Sequence, residues 1–283
     1  MKVGMNMLAV GGTIHPDTDR KVLELAKTSG FDGVEIPIFG GEPKEYAALG
    51  KVLDSIGLER TSVTIIPDVE HSPVNPDAKA RAKARDHLHW AIDCTHALGG
   101  TMMVGPYYQP LGVFSGNAPT DDELKNAADV LREAADYAQK AKVGLSIEPL
   151  NRFECYMLNT MEAASKLRAR IAHPNLSYMY DSFHANIEER RPTVEVRKFG
   201  KEISHIHISE NDRGIPGRGH IPWNDVFDAI KATGYDGWLT VEAFGRGIPA
   251  LAAATRVWRD LFPDIPTLFK ESAAMIRGHL ARK

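Results

Sequence analysis

Four polar residues stand at or near the ends of short apolar runs, and their types could together hold a cation. Glu148 lies near the end of "GLSIEP", and Asp181 ends "LSYMYD". His207 and Glu242 lie near the ends of "ISHIHIS" and "WLTVEAF". If these runs converge, about three negative charges share one concavity, which is costly without a cation. A divalent metal would offset that cost, and oxygen-rich ligation with one imidazole suits Mn²⁺, Mg²⁺ or Co²⁺, with Zn²⁺ also open.

Each of these residues also has a simpler interpretation. Read alone, Glu148 could be a solvated charge at a strand end, and Asp181 could cap a helix that begins in "DSFH". His205, which shares a strand face with His207, is interpreted as a buried core histidine. The four residues taken together favour a metal site, because strand ends can carry many other residue types.

The elements that must position these residues alternate between strand-like and helix-like patterns. Eight β-rich runs begin at Lys2, Gly33, Arg60, Thr101, Gly144, Leu176, Ile203 and Trp238. Amphipathic stretches such as "DRKVLELAKTSG" lie between them, and several end in glycine, as helices commonly do. Strict alternation in a chain of 283 residues predicts an α/β fold, a closed (β/α)8 TIM barrel. An open doubly wound sheet is the alternative, but "AVGGT" after the first run is not the GxGxxG turn of that fold.

In a predicted barrel, the position of a residue within its strand indicates whether its side chain faces the barrel interior. Active sites of such barrels lie at the C-terminal ends of the strands. Alternation places Ser146 with Glu148, Met179 with Asp181, and Thr240 with Glu242 on shared faces. All four candidate ligands can therefore face the barrel mouth.

Composition narrows the classes of partner and compartment. A formal net charge of -3 gives no basic field for nucleic acid or an anionic membrane. Cys94 and Cys155 are far apart, so neither a disulfide framework nor a structural zinc site is expected. No run approaches the roughly 18 apolar residues of a membrane span. We therefore expect a cytoplasmic protein with one barrel domain over residues 1–283 and a C-terminal helical extension from about residue 247.

Four segments resemble the signature segments of a known family. They are "EPLNRFE" (148–154), "YDSFHANIEE" (180–189), "HIHISENDRGIPGRGHIPW" (205–223) and "VEAFG" (241–245). In order and spacing they are similar to the ketose 3-epimerases, such as D-tagatose and D-psicose 3-epimerase, of the xylose isomerase-like barrel superfamily. The resemblance of architecture covers essentially the whole chain, and the residue-level match lies after about residue 144.

The resemblance implies roles for individual residues. One divalent ion, Mn²⁺ foremost and Co²⁺ or Mg²⁺ otherwise, would be held by the four residues Glu148, Asp181, His207 and Glu242. The two glutamates would also form the acid-base pair. Substrate-binding positions of the family match Glu154, His184 and Arg213. A ketose substrate and a homodimer or homotetramer are implied in the same way.

The implied reaction follows from the acidity of the C3 proton of a ketose. The neighbouring C2 carbonyl accepts the charge as a cis-enediolate, which a metal stabilises. Epimerisation then needs one carboxylate on each face of C3, and Glu148 and Glu242 come from separated strands. An aldose-ketose isomerase would use the same metal with the substrate shifted by one carbon.

Other functions remain open at this stage. The same superfamily includes hydroxypyruvate, erythrulose and inosose-type isomerases or dehydratases. It also includes abasic-site endonucleases, which would require more His and Asp ligands and a basic groove. A sugar-sensing protein would be expected to have lost one of the two glutamates. Arg213 and Arg218 could instead cradle a sugar phosphate. Asn6, where an aromatic or apolar residue is expected from these epimerases, and the loop "GPYYQPLGVF" leave the preferred ketose open.

Overall fold

The chain folds into a closed barrel of eight parallel strands, as described by a computed structural model for residues 1–282. Each strand pairs with its neighbours in sequence, and β8 pairs with β1. The predicted (β/α)8 barrel is therefore confirmed, and the open sheet is excluded. The strands are β1 (Lys2–Asn6), β2 (Gly33–Pro37), β3 (Glu59–Val63), β4 (Met102–Gly105), β5 (Gly144–Ile147), β6 (Leu176–Asp181), β7 (Ile203–Ile208) and β8 (Trp238–Val241).

In the described part of the chain, ten α-helices connect and follow the strands. They are α1 (Arg20–Ser29), α2 (Pro43–Ile56), α3 (Ala78–Leu98), α4 (Asp121–Lys140), α5 (Met161–Ile171), α6 (Ser182–Glu188), α7 (Pro192–Phe199), α8 (Trp223–Ala232), α9 (Pro249–Thr255) and α10 (Ile265–Ala281). Within residues 1–282, no helix has the length and apolar character that crossing a membrane requires.

Local sequence signals explain where the helices begin and end. Thr120 caps α4 and forms a capping box with Glu123, so two backbone donors at the helix start are satisfied. Gly30 and Gly57 end α1 and α2 in the left-handed conformation, which glycine adopts without strain. The Gly30 stop corresponds to the glycine that ends the amphipathic run "DRKVLELAKTSG".

The hydrophobic core lies mainly between the barrel and its helices. Fully buried residues from strands, such as Ile36 and Leu239, join buried faces of helices, such as Leu88 and Leu131, in one cluster. Both cysteines are free and buried within the described part of the chain. This packing fixes the strands, and the strand ends then carry the polar residues of the candidate site.

Candidate metal centre and active site

Four strands deliver the predicted metal ligands to one end of the barrel. Asp181 is the last residue of β6 and lies opposite His207 of β7 in the strand register. Glu148 and Glu242 each follow the last residue of their strand, β5 and β8. Their backbone N–H groups donate to the carbonyls of Gly105, at 3.1 Å, and Ile208, at 3.2 Å, which extends the ladder by one residue.

The side chains of these four residues converge. One ligand atom from each lies within 4.8 Å of the others, and all four residues are buried. His207 Nδ1 lies 3.4 Å from Asp181 Oδ2 and 3.5 Å from both Glu148 Oε1 and Glu242 Oε1. Among residues 1–282 this nitrogen has no hydrogen-bond partner. A buried nitrogen without a partner, facing three carboxylate oxygens, fits a divalent cation.

Asp181 serves two purposes with its two oxygens. Oδ1 accepts from the backbone N–H groups of Phe183, at 2.6 Å, and His184, at 3.1 Å, and so caps α6. Oδ2 faces His207 Nδ1. The helix cap and the metal-site geometry are therefore compatible, because each uses a different oxygen.

A second polar layer lies beneath this cluster and centres on Glu35 of β2. Glu35 is fully buried, and its Oε1 accepts from His207 Nε2 at 2.8 Å and from Asn6 Nδ2 at 3.0 Å. Its Oε2 accepts from Thr61 Oγ1 at 2.9 Å and lies 2.9 Å from His205 Nε2. His205 is thus buried as predicted, but against a carboxylate rather than in an apolar core.

Arg213 lies against the cluster rather than in solvent. Its Nη1 donates to Glu242 Oε2 and, at 3.3 Å, to Asp181 Oδ2. The guanidinium lies over the Phe183 ring, 3.8 Å from its centroid, and near that of Phe244. The residue has a backbone φ of 68°, a left-handed conformation that few residues other than glycine adopt. The loop therefore holds Arg213 in an unusual conformation that aims it inward.

His184 and Glu154 extend the same network outward. His184 Nδ1 accepts from the backbone N–H and the side-chain amide of Asn151, each at 3.0 Å. The proton of the neutral ring then lies on Nε2, which is 2.9 Å from Arg213 Nη2. Asn151 also donates to Glu154 Oε1 at 2.8 Å. His184 Nε2 and Arg213 Nη2 are thus two adjacent donors, and one acceptor atom placed near both could accept from both.

Comparison with known proteins places this arrangement in a family. Residues 23–278 match the family model described as the xylose isomerase-like TIM barrel. The chain belongs to this family. Its relatives include a ketose 3-epimerase of Arthrobacter globiformis, 28% identical over 283 residues that cover 99% of this chain and 97% of the relative. An L-ribulose 3-epimerase of Mesorhizobium japonicum is 30% identical over 259 residues, covering 90% of this chain and 86% of the relative.

A solved structure of a ketose 3-epimerase has a similar fold. A D-allulose 3-epimerase from Methylomonas sp. in complex with D-allulose has a TM-score of 0.92 and 26% identity. The match covers 99% of this chain and 97% of that one. The expected resemblance to ketose 3-epimerases is therefore confirmed by both kinds of comparison.

Burial and neighbouring charges strongly shift the pKa values of the ionisable groups at the barrel mouth. Burial, with the neighbouring Glu242 and Asp181 carboxylates, raises the pKa of Glu148 to about 8, although His207 opposes this. Burial would also raise the pKa of Asp181, but Arg213 and His184 hold it well below its usual range. Burial opposes a charged His207, yet Glu242 and Glu35 keep its pKa well above the usual value. The cluster therefore has an excess of negative charge that attracts a proton or a cation.

Two buried carboxylates near the site, those of Glu35 and Glu210, are not predicted by the sequence patterns described above. Glu35 sits in the apolar run "GVEIPI", where a lone Glu in a buried strand was the available signal. Glu210 is a buried residue of the loop that carries Arg213, and its carboxylate accepts four hydrogen bonds. The donors are the backbone N–H groups of Asn211, Gly217 and Ile221 and the Trp223 indole, at 2.8 to 3.1 Å.

The first part of the aromatic loop after β4 packs inside the molecule. Tyr107 and Tyr108 are fully buried, and Tyr108 Oη lies 3.3 Å from Cys155 Sγ. Phe114 of the same loop is 47% exposed. The two tyrosines therefore pack in the protein interior.

Proposed function

We propose that this protein catalyses the epimerisation of free ketoses at C3. One observation carries the proposal: three carboxylates and an unpartnered imidazole nitrogen converge at the barrel mouth, and two of the carboxylates are glutamates from strands separated around the barrel. The curated relatives named as ketose 3-epimerases support the same reaction. The two glutamates supply an acid-base pair, which the reaction requires.

A divalent ion is proposed to be held by the four residues Glu148, Asp181, His207 and Glu242. Three carboxylate oxygens and one imidazole nitrogen form a donor set that favours Mn²⁺, with Co²⁺ or Mg²⁺ as alternatives. When bound, the ion would act as a Lewis acid for the charge that develops on O2 and O3 of the ketose.

Proton transfer is assigned to Glu148 and Glu242. They follow β5 and β8, so a sugar bound between them would have one carboxylate on each face of C3. In one direction Glu148 removes the proton and Glu242 returns one from the opposite face, and in the other direction the roles exchange. The intermediate is a cis-enediolate.

Substrate contact is assigned to Arg213, His184 and Glu154. Arg213 Nη2 and His184 Nε2 are donors 2.9 Å apart, and an oxygen of the sugar could accept from both. Glu154, tied to the same network through Asn151, would accept from a hydroxyl. Fixed contacts of this kind hold the reacting carbon near its acid and base.

The test is product analysis on a substrate panel. Protein stripped with a chelator and then reconstituted with Mn²⁺ is incubated with free ketopentoses, free ketohexoses, their phosphates and inososes. We expect C3 epimers of the free ketoses, no product before reconstitution, and slower turnover of the phosphates. Full turnover in rigorously metal-free protein, or a much larger kcat/KM for phosphates, would contradict the proposal.

The assembly, compartment and domain division are also proposed. By resemblance to the epimerases, we propose a homodimer or homotetramer. We also propose that the protein acts in the cytoplasm. We also propose a single barrel domain with a C-terminal helical extension from about residue 247. Light scattering of the purified protein would test the subunit number, and a monomer at micromolar concentration would contradict it.

A further inference from the structure

A chain of hydrogen bonds beneath the barrel mouth joins two of the proposed metal ligands. It runs from His207 to Glu35, then to Asn6, then to Glu242. Glu35 and Asn6 are both fully buried and lie opposite each other in the register of β1 and β2. Neither residue has a role in the function proposed above.

Glu35 determines which nitrogen of His207 carries a proton. A carboxylate only accepts, so the 2.8 Å contact requires a proton on His207 Nε2. In the neutral ring the lone pair then lies on Nδ1, the nitrogen that faces Glu148, Asp181 and Glu242. Histidines that bind metals are commonly oriented by a carboxylate in this way.

Asn6 extends this control to the proposed base Glu242. Its Oδ1 accepts from the Leu8 backbone N–H at 2.9 Å, so its amide group is oriented with Nδ2 toward the carboxylates. Nδ2 then donates to Glu35 Oε1 at 3.0 Å and to Glu242 Oε1 at 3.1 Å. Both amide protons are used, and they separate two carboxylate oxygens that would otherwise repel each other.

We propose that Glu35 is a positioning residue, which holds His207 in the tautomer that presents Nδ1 and, through Asn6, fixes the carboxylate of Glu242. The inference rests on the proposed function, because it assigns a role toward the ligands of that site. It also explains why the first strand carries Asn at position 6, where the family resemblance favoured an aromatic or apolar residue.

The substitution Glu35→Gln tests the requirement for a carboxylate with two acceptor oxygens at this position. Glu35 receives donors on Oε1 from His207 and Asn6 and on Oε2 from Thr61. Glu35→Gln keeps the shape but removes the negative charge and one of the two acceptor oxygens, so the contacts of His207, Asn6 and Thr61 can no longer all be made as they are. The matched control is Ser146→Ala, since Ser146 is also buried in a barrel strand but bonds Ser204 instead.

The readout is Mn²⁺ affinity of the chelator-stripped protein, measured by titration calorimetry on folded samples. We expect Glu35→Gln to weaken binding about 10- to 100-fold, the usual effect of losing an outer-shell partner, while Ser146→Ala leaves the Kd unchanged. A purely structural Glu35 would lower the melting temperature and leave the Kd of the folded protein as in wild type. That result would overturn the inference while the proposed function stands.

Asn6→Leu provides an independent test, and it decides the matter if Glu35→Gln does not fold. At saturating Mn²⁺ we expect kcat for C3 epimerisation to fall about 10- to 100-fold with KM little changed, because the proposed base is misplaced. An unchanged kcat would overturn the inference. If wild-type protein bound no Mn²⁺ at all, the proposed function would fail first, and the inference with it.

Discussion

The Nδ1 atom of His207 is the point around which the candidate metal centre is organised. Three carboxylate oxygens lie 3.4 to 3.5 Å from it, and nothing in residues 1–282 satisfies it by a hydrogen bond. Residue types at strand ends were enough to predict this convergence. Glu35 could not be predicted in the same way, because it lies in the middle of β2 rather than at a strand end.

Asp181→Asn separates the charge of this residue from its capping role. Asn keeps an oxygen that can cap α6, so the fold should be retained. The loss of charge opposite His207 should weaken Mn²⁺ binding by at least the 10- to 100-fold that loss of an outer-shell partner costs. Titration calorimetry measures the affinity, and circular dichroism checks the helix content. Wild-type affinity in a folded Asp181→Asn protein would remove Asp181 from the ligand set.

Arg213→Ala should affect the substrate rather than the metal. The guanidinium contacts His184 and two of the proposed ligands, so its loss removes a donor to the sugar and a competing positive charge. We expect kcat/KM for the preferred ketose to fall about 100-fold, as misplacement of a substrate can cause, and Mn²⁺ to bind as well or better. The exposed Arg218, paired with Glu271 at 2.7 Å, provides Arg218→Ala as a control with near wild-type kinetics. Equal kinetics for both variants would contradict the assignment.

The elements that place these residues were largely predictable. The sequence patterns predict all eight strands, because buried alternating runs and the glycines that end helices are local signals. The end of the first strand was less clear: the run extends to Leu8, but β1 ends at Asn6 and a 3₁₀ helix follows from Met7 to Ala9. The Asn6 side chain caps that turn by accepting from Leu8, a contact that the alternating pattern does not report.

The loop after β7 depends on one buried acceptor. Four donors converge on Glu210, so Glu210→Gln leaves at least one of them facing an amide NH₂. Loss of a buried acceptor typically costs about 1–3 kcal/mol, and we expect that decrease in the free energy of unfolding. Hydrogen exchange should rise over residues 211–221, and KM should rise because Arg213 is less fixed. Unchanged exchange in this loop would show that Glu210 does not hold it.

Barrel closure is what completes the candidate site. Because β8 pairs with β1, Asn6 at one end of the chain contacts Glu242, 236 residues later. Glu148 follows β5, which is separated from β8 by β6 and β7, and its side chain lies in the same cluster as that of Glu242. The whole fold is therefore required to place one proposed acid-base carboxylate on each side of a bound sugar.

The position of deuterium in the product tests the two-glutamate mechanism most directly. Mn²⁺-loaded enzyme is incubated with its preferred ketose in D₂O, and both substrate and product are examined by NMR. We expect solvent deuterium at C3 of the epimer. Glu148→Gln and Glu242→Gln should each lower the rate by roughly 10² to 10⁴, with residual Mn²⁺ binding measured alongside. Label confined to C1 or C2, or epimerisation that survives either substitution with the metal bound, would contradict proton exchange at C3 between these two glutamates.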